Sequence, residues 1–209
     1  MTEPNIVILC PRRAGIADRD RLWSYVHAWW REHFPQWPIH TGASPEGPFN
    51  RGAAINDAAW VAGDWDYAVI IDSDAICAPD QIEAAVEMAR ETGRMCFPYT
   101  KYKGLQADMT ERILNGYDGD WGIRHTRPNM DTHVSSVQIV PRALWQKVGG
   151  FDERFVGWGY DDSVFAHTCR VLGGGFDRIP GTVWHLWHKP SPETRTGSRR
   201  LHASKLLAT

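Results

Sequence analysis

The sequence predicts an α/β fold built on a mostly parallel sheet. Two short runs, Asn5 to Cys10 (NIVILC) and Tyr67 to Asp72 (YAVIID), are almost wholly apolar, as in strands covered on both faces. Segments with helical spacing lie between and after them. Strand and helix patterns then alternate along most of the chain, as crossover-connected parallel strands require.

Taken in order, Pro11-Arg12-Arg13 ends the first strand. From Asp18 to Phe34, Leu22, Tyr25, Val26, Trp29 and Trp30 fall on one side of a helix, which Pro35 and Pro38 close. Ile39-His40-Thr41 fits a short second strand, and Asn50 to Ala62 a helix of small residues ended by Gly63. After the second apolar run, Pro79 to Thr92 is a well-marked helix: proline in its first turn, acids early, Gly93 just past its end. Arg94 to Phe97 fits another short strand. From Thr100 to Thr132 the periodicity fades among Gly, Asp, Arg and Asn, and the segment is expected to be a mobile loop facing substrate. Val137 to Val140 reads as a strand, Pro141 to Val148 as a short helix, and Asp161 to Leu172 as a helix stopped by Gly173-Gly174-Gly175. Phe176 to Ile179 and Thr182 to Leu186 read as late strands. No repeat or internal boundary interrupts this order, so residues 1–190 are expected to form one domain, with a basic tail over 191–209.

A chain of 209 residues can bury one sizeable core, and 43% hydrophobic with 23% charged residues is ordinary for a soluble globular protein. The formal net charge of -2 excludes a protein that binds nucleic acid by overall charge. The tail is locally basic: Lys189, Arg195, Arg199, Arg200, His202 and Lys205 stand against one acid, Glu193. That fits either a solvated tail or a flap that meets phosphate or acceptor. Eleven tryptophans are far above usual usage; most are expected in the core, and indole also offers carbohydrate a flat apolar face with a polar edge. The four cysteines form no CxxC pair, which predicts a reducing compartment and no thiolate metal site. The start MTEPNIVILCPRR lacks the features of a signal peptide, and no apolar run approaches the ~20 residues of a membrane helix. The chain is therefore expected in the cytoplasm of a bacterium or a phage-infected host.

Four motifs carry chemistry. Asp72-Ser73-Asp74 follows directly on a buried strand, where ligands of open α/β sheets bind, and two such carboxylates can hold a hard divalent cation. Most D-x-D tripeptides are surface turns; placement at a strand end is what raises this one. Phe49-Asn50-Arg51-Gly52 opens a helix with a cation at its positive end, which bound phosphate would explain and an ordinary solvated arginine would not require. Gly149-Gly150-Phe151 leads to Gly157-Trp158-Gly159-Tyr160-Asp161-Asp162, where Trp158 offers a ring for sugar stacking and the aspartates either cap a helix or do acid–base work. His185 and His188 could join Asp74 in an Mn²⁺ site if a turn follows the last strand.

In this order the motifs resemble those of the β-1,4-galactosyltransferase family, and more loosely those of the polypeptide N-acetylgalactosaminyltransferases and bacterial family-2-type glycosyltransferases. The likeness runs from about Pro11 to about Pro190. It implies a GT-A fold, with a Rossmann-like nucleotide half and a fused acceptor half. It implies that Pro11, Arg12, Arg51, Asp72, Ser73, Asp74, Trp158 and Gly159 bind a nucleotide-sugar, and that Asp74, His185 and His188 bind Mn²⁺, with Mg²⁺ as a second candidate. An ungapped match puts the catalytic base at Asp162; a one-residue shift puts it at Asp161. Tyr160 stands where the family has glycine, and Asp161 where it has glutamate, so acceptor specificity does not carry over.

The resemblance thus implies a metal-dependent transfer from a UDP-sugar, read here as inverting; the acceptor, which the resemblance does not carry, is expected to be a hydroxyl of a glycan, protein or modified DNA base. A base with an ordinary carboxyl pKa of ~3.9 would be ionised and could take the acceptor proton. A nucleotidyltransferase should instead show a Gly-rich loop and lysine after the first strand, where this chain has Pro-Arg-Arg-Ala-Gly. A sugar-binding module needs no such set of carboxylates, Arg51 and histidines together.

Overall fold

The structure is a computed structural model that describes residues 3–121, 125–126, 133–157 and 159–189. The predicted basic tail and Trp158 therefore lie outside the described residues. Strand β1 (Ile6–Pro11) is buried along its whole length, as its unbroken apolar sequence requires. Helix α1 (Ala17–His33) turns Leu22, Trp23, Val26 and Trp30 inward. After β2 (Ile39–Gly42), helix α2 (Arg51–Val61) buries mostly alanines, and their small size lets it lie against the sheet. A Cβ on Gly42 would stand 1.8 Å from the Ala54 carbonyl oxygen, so only glycine fits beneath this helix.

Strand β3 (Tyr67–Ile71) leads through a turn to a three-residue strand, β4 (Ala75–Cys77), and then to α3 (Pro79–Thr92). Proline opens α3, and Gly93, at φ 68°, ends it in the left-handed conformation. Strand β5 (Met95–Phe97) follows. The segment predicted as a loop from Thr100 to Thr132 instead contains β6 (Lys101–Gly104), α4 (Ala107–Leu114) and the two-residue β7 (His125–Thr126); 122–124 and 127–132 lie outside the described residues. These elements are too short for periodicity to reveal: α4 is two turns long and buries only Thr110 and Ile113. The chain continues with β8 (Val137–Pro141), α5 (Arg142–Val148), α6 (Asp161–Gly173), β9 (Phe176–Arg178) and β10 (Thr182–His185).

The main sheet has the order β2-β1-β3-β8-β5-β9. Pairing is parallel except where β8 meets β3 and β5, so β8 alone runs against the rest. A second sheet, β4-β10-β6-β7, branches from the end of β3. The four cysteines are free and buried within the packed interior. No helix among the described residues is long and apolar enough to cross a membrane.

Candidate active site

The site forms where the two sheets part. The main chain leaves β3 at Asp72, turns through a half-buried Ser73, and buries Asp74 at the head of β4. Strand β10 pairs antiparallel with β4, setting His185 opposite Ala75, and the Leu186 N–H donates to the Asp74 carbonyl at 2.8 Å. That register brings both late histidines onto the carboxylate. His185 Nε2 lies 3.4 Å from Asp74 Oδ1, and His188 Nε2 lies 3.2 Å from Oδ2. One ligand atom from each of the three residues falls within 4.8 Å of the others.

The donor chemistry suits a cation. His188 Nδ1 lies 2.8 Å from the Lys189 carbonyl, which can only accept, so Nδ1 carries the hydrogen. Burial pushes the His188 pKa down, more than nearby Asp74 lifts it. A neutral His188 then points an Nε2 lone pair at a carboxylate oxygen, an arrangement that a positive ion between them would satisfy. Burial alone would raise the Asp74 carboxyl, but His185, His188 and Arg19 together hold it below the usual range. Arg19 donates to Asp74 Oδ2 at 2.6 Å and supplies positive charge there. The sequence reading missed Arg19. The signal was available: like Arg51, it is a cation in the first turn of a helix, where the helix dipole disfavours it.

Arg51 joins the other carboxylates. Its Nε and one terminal nitrogen donate to Asp72 Oδ1 at 3.1 and 2.8 Å, and the other terminal nitrogen donates to Asp161 Oδ2 at 2.9 Å. The charges it answers are thus carboxylates of the protein itself. Burial opposes its charge, yet Asp72, Asp161 and Asp162 more than offset that cost. Asn50 caps α2 by accepting the Ala53 N–H at 2.9 Å, and its amide donates to the Glu153 carbonyl at 2.6 Å. The guanidinium sits over Phe151, which stacks on Phe165 at 3.9 Å; this is the packing role of the Gly149-Gly150-Phe151 motif.

Asp72 has a second anchor that the sequence did not announce. Its Oδ2 accepts the Ser136 N–H at 2.9 Å, while its own N–H donates to the Ser136 carbonyl at 2.8 Å. Ser136 makes this exchange with φ at 71°, a conformation costly for a non-glycine residue.

Asp161 and Asp162 open α6 after Tyr160, which is itself left-handed at φ 74°. The Tyr160 side chain makes no capping bond, and of the acidic pair Asp162 satisfies one free first-turn N–H. Asp161 is tied to Arg51, whereas Asp162 accepts its neighbour Ser163's N–H at 2.7 Å. The ordinary carboxyl value expected for Asp162 is also corrected: burial first, then the charge of Asp161, push it up to about 6. Among the remaining predicted residues, Pro11 is buried at the end of β1. Arg12 is bonded to Asp20 and lies over Trp23 rather than pairing with the Asp72 or Asp74 carboxylates. Gly159 adopts φ 100°, which its lack of a side chain permits.

Residues 124–189 match the family described as the N-terminal domain of galactosyltransferase. No curated protein matches the chain. Among solved structures, Drosophila beta1,4-galactosyltransferase 7, as a mutant with manganese, UDP-Gal and xylobiose, is 17% identical with a TM-score of 0.56, covering 94% of this chain and 78% of that one. A mannosyltransferase from Pyrobaculum calidifontis, with GDP-Man and Mn²⁺, is 14% identical with a TM-score of 0.55, covering 100% of this chain and 65% of that one. TarS from S. aureus, with UDP-GlcNAc, is 11% identical with a TM-score of 0.54, covering 97% and 66%. Against the Drosophila enzyme in its xylobiose complex the coverage is 83% and 63%, so this chain spans less than two thirds of several of these proteins. Residues 124–189 carry a galactosyltransferase-type segment, and the chain has the fold of the GT-A glycosyltransferases.

Proposed function

We propose that this chain is a metal-dependent, inverting glycosyltransferase that moves a sugar from a nucleotide-sugar, most simply a UDP-sugar, to a hydroxyl of a glycan, protein or modified DNA base. The observation that carries this reading is the convergence of Asp74, His185 and His188 beyond the carboxyl end of β3. One carboxylate and two imidazoles suit Mn²⁺ better than Mg²⁺, which favours oxygen ligands. The manganese and nucleotide-sugars bound by proteins of the same fold support the same donor class.

In this reading Asp74, His185 and His188 hold the ion, which when bound would offset charge on the departing nucleoside diphosphate. Arg51 and Asp72 orient the nucleotide, with Pro11, Arg12 and Ser73 lining its loop and Trp158 and Gly159 meeting the sugar. Asp162 takes the proton from the attacking hydroxyl. Its value of about 6 makes it a better proton acceptor than an ordinary carboxylate. At pH 7 it is still ionised by about ten to one. Asp161 holds Arg51 in place and raises the basicity of Asp162. Residues 1–190 act as the catalytic unit.

The test is a screen for nucleoside diphosphate release from UDP-Gal, UDP-Glc, UDP-GlcNAc and GDP-Man, with and without Mn²⁺. The expected result is Mn²⁺-dependent release from at least one donor, reduced by about a hundredfold or more in Asp74→Ala. Release from none of them, or undiminished release by Asp74→Ala, contradicts the reading.

A further inference from the structure

Strand β10 presents successive side chains to opposite sides, so Trp184 faces away from the cluster that His185 joins. On that other side Trp184 lines a second cavity of about 570 Å³, between the middle of α1, the start of α3 and the chain after α4. Five rings wall it: Tyr25, Trp29, Tyr117, Trp121 and Trp184. All five are half-buried, with one part packed into the protein and another reachable from solvent. Trp121 meets Trp184 edge to face at 5.4 Å. Two exposed carboxylates, Asp118 and Asp120, stand at the same wall.

Charge narrows the occupant. Lys103 Nζ lies 4.7 Å from the centre of the Trp184 ring, and the Arg112 guanidinium lies 3.9 Å from that of Tyr117. These two cations balance Asp118 and Asp120. An organic cation would find two of the five rings, Trp184 and Tyr117, already faced by the protein's own cations, and an anion would meet the two carboxylates. A neutral ligand with flat apolar faces and many hydroxyls meets neither objection: its C–H faces pack on indole and phenol rings while its hydroxyls donate to the carboxylates. We propose that this cavity is a binding subsite for a neutral oligosaccharide, separate from the metal cluster. The volume lies within the range of sites that enclose small ligands. The subsite does not depend on the transfer reaction, since it needs neither metal nor nucleotide.

The experiment titrates the full chain, in the presence of a chelator and without nucleotide, with cellohexaose, maltohexaose and chitohexaose, followed by calorimetry and tryptophan fluorescence. Saturable binding of at least one is expected, weakened roughly tenfold or more by Trp121→Ala and by the exposed pair Asp118→Asn with Asp120→Asn. Asp162→Asn should leave it within about twofold. No saturable binding, or binding unmoved by the carboxylate pair, overturns the proposal. So does equal loss in Asp162→Asn, which would place the sugar in the catalytic cleft, or tighter binding of tetramethylammonium than of any oligosaccharide. If Trp121→Ala fails to fold, the exposed carboxylate variants decide. Nucleoside diphosphate release is a separate readout, so either hypothesis can fail without the other.

Discussion

Arg19 donates to Asp74 Oδ2 across 2.6 Å, joining the first turn of α1 to a buried carboxylate that two imidazoles also approach. The guanidinium stands in the electrostatic place that a divalent ion would take. A charge-assisted hydrogen bond of this kind contributes about 1.5–3 kcal/mol. Binding a metal at Asp74 must weaken it. Arg19→Ala is therefore expected to tighten Mn²⁺ binding in the absence of nucleotide by about tenfold, measured by Mn²⁺ paramagnetic resonance titration. Unchanged or weaker affinity would show that Arg19 does not compete with the ion.

Asp162 links stability to pH in a definite direction. Its folded value, about 6, lies above the ordinary carboxyl value of ~3.9, so the folded chain holds this proton to higher pH than the unfolded chain does. The contribution is stabilising below about pH 4 and is lost as pH rises through about 6. Asp162→Asn removes the buried charge. At pH 8 the variant is expected to be more stable than the parent by on the order of 1–3 kcal/mol, with the difference vanishing near pH 3. Denaturant midpoints at the two pH values measure it. A variant less stable at pH 8 would contradict the burial argument.

In the proposed mechanism the same group sets the acid limb of the rate. Transfer is expected to rise with pH and level off above an apparent value near 6, because only the ionised carboxylate can take the proton. Asp161's charge raises that value, so Asp161→Asn should move the limb toward lower pH. A limb unmoved by Asp161→Asn would remove Asp162 from the role of base.

Arg51 bridges Asp72 and Asp161 with three hydrogen bonds, a fork that a lysine ammonium cannot reproduce. Arg51→Ala leaves two carboxylates facing one another without their cation, and a loss of roughly 2–4 kcal/mol is expected in thermal or urea unfolding. Arg51 also lowers the Asp162 value, so its removal should shift the acid limb upward, opposite to Asp161→Asn. Shifts of the same sign in both variants would break the electrostatic account.

At Gly42 an added Cβ would stand 1.8 Å from the Ala54 carbonyl oxygen and 2.5 Å from the Ala58 nitrogen, both of them backbone. Gly42→Ala should cost about 3 kcal/mol or more in urea unfolding. A cost below about 1 kcal/mol would mean that α2 can shift away from β2 without penalty.

The parallel sheet was legible because its central strands, Ile6–Pro11 and Tyr67–Ile71, are long enough to show an unbroken apolar run. The second sheet was largely illegible. Three-residue β4 and two-turn α4 offer no period to count, and their stability comes from partners distant in sequence. The same logic divides the site. Asp74, His185 and His188 were readable as residue types in order, and the β4–β10 register supplies their proximity. Ser136 was not legible, because its importance lies in a contact 64 residues away in the chain, whereas Arg19 carried a local signal, a cation in the first turn of a helix, but its partner lies 55 residues away. Asp162 was identified with the wrong acidity, since burial and a like charge next to it are tertiary facts.

The most direct test of the account is calorimetric titration of UDP into the full chain with and without Mn²⁺, in the parent protein and in Asp74→Ala and His188→Ala. The account predicts Mn²⁺-dependent UDP binding that each substitution weakens by about tenfold or more. UDP binding that ignores Mn²⁺, or Mn²⁺ dependence that survives both substitutions, would contradict it.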